Sequence, residues 1–168
     1  MDGAMTHDPV GAPITTRARA YVSFVVASRS LSAAELVECI GEKPDRLESH
    51  GEIDPARRGG RPSEVSIWIL EASRAPYADV MDQLDELESR VVPMLESIRS
   101  LARDHEVSVI LRIVHYMRAT DDHGHGIALG DGWIQALAAL HGDVDIDQYV
   151  EGGDLDSPQS STSHVTGS

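Results

Sequence analysis

The stretch "ATDDHGHGIALGDGW" (residues 119–133) sets two carboxylates, Asp121 and Asp122, beside His123 and His125, with His115 a few positions upstream. Imidazole and carboxylate are ligands for zinc and related metals, which need three or four such groups around one point. An H-x-H pair supplies at most two. A centre here therefore requires the chain to double back and bring in His115 as a third ligand, with an aspartate beside it. A metal held in that way, with one position open, lowers the pKa of a bound water and makes it a nucleophile for hydrolysis. The same residue types also have a plainer use. Asp tolerates turn dihedrals and Gly supplies positive φ, so "DDHGHG" equally describes a polar turn. The turn is the preferred reading, and a metal-dependent hydrolase using His115, His123 and His125 is the alternative.

A second group able to do chemistry is "PARRGGRP" (55–62), where Arg57, Arg58 and Arg61 flank two glycines. Guanidinium groups beside free backbone N–H groups can hold a phosphate or carboxylate. This is no P-loop, because no Gly-Lys-Ser/Thr follows and the next element reads as a strand. In a chain of net charge −14, these arginines also have many internal carboxylates to pair with. The carboxylates of "DQLDELESR" (82–90) fall on the polar side of a helix. G-x-S-x-G and G-x-G-x-x-G fingerprints are absent from the sequence. Trp68 and Trp133 read as core residues.

The elements that must position these groups follow from periodicity. "AYVSFVVAS" (20–28) is nearly continuous in apolar character, which predicts a central strand. In "LSAAELVECIG", Ser32 and Glu35 form a capping box, Leu31 and Leu36 a hydrophobic staple, and Gly41 a helix stop. Residues 42–63 read as a long loop, a feature that is often functional. "EVSIWILEA" (64–72) alternates as a strand, with Val65, Ile67 and Ile69 on one face and Trp68 and Leu70 on the other.

A helical stripe runs from Pro76 to Asp104 and should kink or break near Val92, because Pro93 does not fit a helix interior. "EVSVILRIVHYMRA" (106–119) is a long strand, with Ile127–Leu129 a short strand able to pair back with it. Asp131 caps a helix carrying Trp133, Ile134, Leu137 and Leu140, which Gly142 ends. "DVDIDQYV" (143–150) is an edge strand, with Val144 and Ile146 inward and Asp143, Asp145 and Asp147 outward. The helices "AAELVECI" and "WIQALAAL" align at a shift of 100 residues, a weak sign of two similar βαβ-like halves.

Composition bounds the rest. The 168 residues suit one domain with a core built from Val, Leu, Ile and Ala, since aromatics make up only 4%. A surface this acidic repels nucleic acid and anionic lipid and favours a partner with a basic surface. The one cysteine, Cys39, excludes an intrachain disulfide and is expected to be a small buried hydrophobe. Nothing approaches the ~20 apolar residues of a membrane span, and the first residues lack the pattern of a secretory signal, so the cytoplasm is the default location. Residues 1–18 read as a flexible arm, 19–150 as the domain and 151–168 as a disordered tail.

Taken in order, "YVSFVVAS", "LSAAELVECIGEKPDR", the "HGE" turn at 50–52, "SIWIL", "VVPMLESI" and "IALGDGWIQALAALHGDVDIDQY" resemble domain-of-unknown-function family 4279, a bacterial family, over about residues 20–150. The resemblance implies a small α+β domain and no assigned activity or catalytic residues. It also carries an association with binding roles, immunity to a toxin among them.

The expectation is therefore a single α+β domain. Its sheet is mixed or mainly antiparallel, with about four or five strands and helices mainly on one face. The expected function is non-enzymatic binding of another protein, without a cofactor, with homo-oligomerisation left open. The 42–63 loop with Arg57, Arg58 and Arg61, and the acidic exterior, are the expected contact surfaces.

Overall fold

The computed structural model describes residues 20–53, 62–73, 79–118 and 126–151. Its centre is β1 (Ala20–Ser28), which pairs antiparallel with β3 (Ser66–Glu71) on one side and with β4 (Val107–Arg118) on the other. A short β2 (Arg46–Glu48) lies outside β3, and β5 (Asp143–Glu151) runs parallel to β4 at the opposite edge. The sheet order is β2-β3-β1-β4-β5. The molecule is thus an α+β domain with one mixed, mostly antiparallel five-stranded sheet, as expected. The long loop predicted over 42–63 differs in one respect, because it contains β2. Three residues are too few for a periodicity to register.

Strand alternation divides the sheet into two unlike faces. On one face, Val22, Phe24 and Val26 of β1 lie level with Ile113, Leu111 and Val109 of β4, and Phe24 and Val26 lie level with Leu70 and Trp68 of β3. All of these are buried in a single core. The same core takes Leu36 and Ile40 from α1 (Ala33–Ile40), Leu84 and Leu87 from α2 (Val80–Val91), Ile98 and Leu101 from α3 (Leu95–Asp104), and Trp133 and Leu137 from α4 (Asp131–Leu140). Every helix therefore packs on one face.

The helix boundaries follow local chemistry. Ser32 caps α1, accepting from the Glu35 N–H at 3.3 Å, while the Glu35 carboxylate accepts from the Ser32 N–H at 2.8 Å. That bond and one from the Ser32 hydroxyl hold the Glu35 carboxyl below its ordinary range. Gly41 ends α1 at φ 79. A 3-10 turn at Val92–Met94 separates α2 from α3, the break that Pro93 predicts.

Other expectations need correction. Gly130, not Asp131, is the N-cap of α4, and His141 closes that helix at φ 50, one residue before Gly142. Cys39 is exposed, because it follows Glu38 around to the solvent side of α1. Residues 127–129 form no strand; Ile127 and Leu129 pack against the core while β5 takes the position beside β4. The two halves share an element order but differ in direction. β1 and β3 are antiparallel, whereas β4 and β5 are the parallel pair that α4 bridges.

Three buried side chains complete the frame through hydrogen bonds. Where β3 ends, the Gln83 side chain takes its place beside β1. Its Nε2 donates to the Ala20 carbonyl at 3.0 Å, and its Oε1 accepts from the Val22 N–H at 3.2 Å. The two indoles are buried as expected. Trp68 Nε1 donates to the Glu42 carbonyl and Trp133 Nε1 to the Leu84 carbonyl, each at 3.1 Å.

Candidate functional site

The second face of the sheet carries the residues of opposite parity: Tyr21, Ser23, Val25 and Ala27 on β1; Ile67, Ile69 and Glu71 on β3; Ile110, Arg112, Val114 and Tyr116 on β4. Among the described residues, no helix packs on it. Its centre is nevertheless aliphatic. Val25 lies level with Ile69 on one side and Ile110 on the other, so three strands place β-branched side chains in one row. Val25 and Ile69 are only 5% and 4% exposed and Ile110 is half-buried, so the row is buried although no helix among the described residues covers it.

Charge and aromatic groups frame this row. On the β2 side, Arg46 reaches Glu48 at 3.1 Å and Glu71 at 3.7 Å. On the β5 side, Arg112 Nε meets the Asp145 carboxylate at 3.2 Å. Tyr21, Tyr116 and Tyr149 run across β1, β4 and β5 at one end. Tyr21 is edge-on to Tyr116 at 5.9 Å, and Tyr116 stacks on Tyr149 at 5.3 Å. Behind Glu71, Arg90 pairs with Asp45 at 2.8 Å and donates to the Glu71 carbonyl at 2.9 Å, tying the strand to the helix layer.

A pocket of about 200 Å³ opens in this face, lined by Tyr21, Ser23, Val25, Arg46, Ile69, Glu71, Arg112 and Val114 among others. It is smaller than the roughly 300–1,000 Å³ of typical small-molecule sites. Two guanidiniums, each already facing a carboxylate, leave no bare positive charge for an isolated anion. Each still has spare N–H donors, because a guanidinium carries five. An aliphatic floor with charge-balanced walls and a tyrosine rim suits an inserted side chain from another protein.

The residues singled out from sequence fall elsewhere. His115 is buried on the helix side of β4, level with Ala20 on β1 and Gln148 on β5. His123 and His125 lie outside the described residues, and among the described residues no three His, Cys, Asp or Glu side chains are grouped to hold a metal. Arg57, Arg58 and Arg61 also lie outside them. The chain on either side of that segment closes on itself, with the Gly51 N–H donating to the Ser63 carbonyl at 2.8 Å and the Ser63 N–H to the Glu52 carbonyl at 2.9 Å.

Sequence reasoning passed over Arg46, Arg112 and the tyrosines. One signal pointed to them: β3 is apolar on both faces, although all the helices are needed to cover one.

Fold and face together define a two-layer α+β domain with helices on one side of its sheet and, among the described residues, none on the other. The chain belongs to the family described as Domain of unknown function (DUF4279), whose model matches residues 18–151. Comparison with curated proteins finds no match. Comparison with solved structures finds none either. No helix among the described residues is long and apolar enough to cross a membrane.

Proposed function

We propose that this domain is a non-enzymatic binding protein that engages another protein through the helix-free face of its sheet. The observation that carries the reading is the pocket in that face, with the buried Val25 and Ile69 in its floor and the Arg46 and Arg112 ion pairs in its walls. Apolar surface set inside a polar rim is the usual anatomy of a protein contact. The net charge of −14 favours a partner with a basic surface. Masking of a basic toxin surface, an immunity-like role, is one form this takes, with Arg57, Arg58 and Arg61 as further contacts.

The test is co-purification from producing cells with wild type and with Val114→Glu, which places a carboxylate at the pocket wall. Glu96→Lys on exposed α3 is the control. The reading expects partners held by wild type and Glu96→Lys to be lost with Val114→Glu, at unchanged melting temperature. Retention by Val114→Glu contradicts it.

A further inference from the structure

We propose that the outer edge of β5 is a second docking site, and that it accepts an extended segment of a partner in which basic and apolar residues alternate. The proposal rests on the binding reading above but uses a different surface. β5 is nine residues long and is the last strand of the sheet, so one of its backbone edges has no strand partner among the described residues. The strand at the opposite edge, β2, has only three residues. Long unpaired edges are templates for strand addition, and proteins that avoid it keep edge strands short or twist them away.

The side chains of β5 are placed for company. Val144 and Ile146 lie level with Leu111 and Ile113, two of the most buried residues of the core. The sequence pattern predicts them inward, yet they are 40% and 45% exposed, because the helix layer stops short of the last strand. On the other face Asp143, Asp145 and Asp147 alternate with them. Asp145 is taken by Arg112, while among the described residues Asp143 and Asp147 form no ion pair.

This arrangement selects between occupants. In a second copy of the chain pairing antiparallel across a twofold axis at Asp145, Asp143 faces Asp147 and Asp145 faces its own copy; at Asp147, that residue faces its own copy and Asp143 faces Glu151, and like charges directly opposite are unfavourable. A strand carrying Lys or Arg at alternate positions places them beside Asp143 and Asp147. Its intervening Val or Ile side chains fall beside Val144 and Ile146. Main-chain hydrogen bonds then supply affinity, and the alternation supplies specificity and register.

The experiment uses the full chain and a fluorescent, end-capped nine-residue peptide alternating lysine with valine, followed by anisotropy. Two further peptides carry N-methyl groups on alternate amides, one series for each backbone edge, and a third gathers the lysines at one end. The expected result is that the alternating peptide binds and that one methylated series abolishes binding while the other does not. Gathering the lysines, or Asp143→Lys with Asp147→Lys, should weaken binding roughly tenfold or more, as for close interfacial charge pairs. Arg46→Ala, on the far wall of the pocket with three strands between it and β5, should leave peptide binding unchanged.

Equal binding of the gathered and alternating peptides overturns the proposal, as does indifference to both methylated series. Sedimentation of the wild type as a dimer that Val144→Glu dissociates assigns the edge to a second copy and also overturns it. Peptide binding that responds to Arg46→Ala and not to Asp143→Lys with Asp147→Lys moves the contact to the sheet face, which removes this site and leaves the reading of the face standing.

Discussion

Gln83 shows how one side chain can finish a sheet. β3 pairs with β1 only from Ser23 onward, so the Val22 N–H and Ala20 carbonyl meet the Gln83 amide instead. Gln83→Leu keeps the volume and strands both backbone groups. At about 1–3 kcal/mol for each of the two unsatisfied buried groups, the loss should reach roughly 2–6 kcal/mol, read from the urea midpoint. Asp82→Ala, exposed next to it, should stay within about 0.5 kcal/mol. Glu35 is a second residue with a measurable signature. Its carboxyl is held below the ordinary value of 4.5 by the Ser32 bonds. A depressed carboxylate contributes stability that is present above the unfolded pKa and lost as pH falls through the folded one. The stability difference between wild type and Glu35→Gln, from denaturation at a series of pH values, should therefore be largest near neutrality and shrink in acid below 4.5. A difference that grows in acid contradicts the cap geometry.

At the level of elements, the two helix ends in left-handed backbone make opposite predictions. Gly41 sits at φ 79 with open space where a Cβ would go, so Gly41→Ala meets no neighbour and should cost only the conformational about 1–2 kcal/mol. His141 closes α4 at φ 50 without being glycine, so His141→Gly should stabilise the domain by up to about 1 kcal/mol. Thermal unfolding of both variants checks the pair. Long elements were readable beforehand, because nine to twelve residues of alternation or helical period leave little choice: β1, β4, β5, the Ser32 cap and the Pro93 break are where the pattern puts them. Short or context-set features were not. β2 has too few residues to show a period. Val144 and Ile146 have inward parity, but the extent of the helix layer decides their exposure, and no local pattern encodes that.

For the molecule as a whole, what matters is that the helices cover one side of a sheet whose other side is also partly apolar. The candidate site was hidden for that reason. Ser23, Val25, Ile69, Arg112 and Val114 come from three strands up to 91 positions apart in sequence, and only the register brings them together. Histidine and arginine clusters close in sequence draw the eye first, whereas the face is assembled from scattered residues of ordinary type. Its ion pairs also make a prediction. An association through the Arg46 and Arg112 walls and the acidic β5 should weaken as salt rises from low to physiological concentration, mainly through a slower on-rate. Surface plasmon resonance across that range measures it, and salt-independent association contradicts it.

Docking of partners on the helix-free face is the proposal on which the others depend. Site-specific photo-cross-linking in producing cells tests it most directly, with a photoreactive phenylalanine at Arg112 or Tyr149 on that face and at Asp82 or Glu96 on the helix layer. Discrete adducts from Arg112 and Tyr149, and none from Asp82 or Glu96, are the expected result. Adducts confined to the helix-layer positions, or spread evenly over both sides, would contradict it.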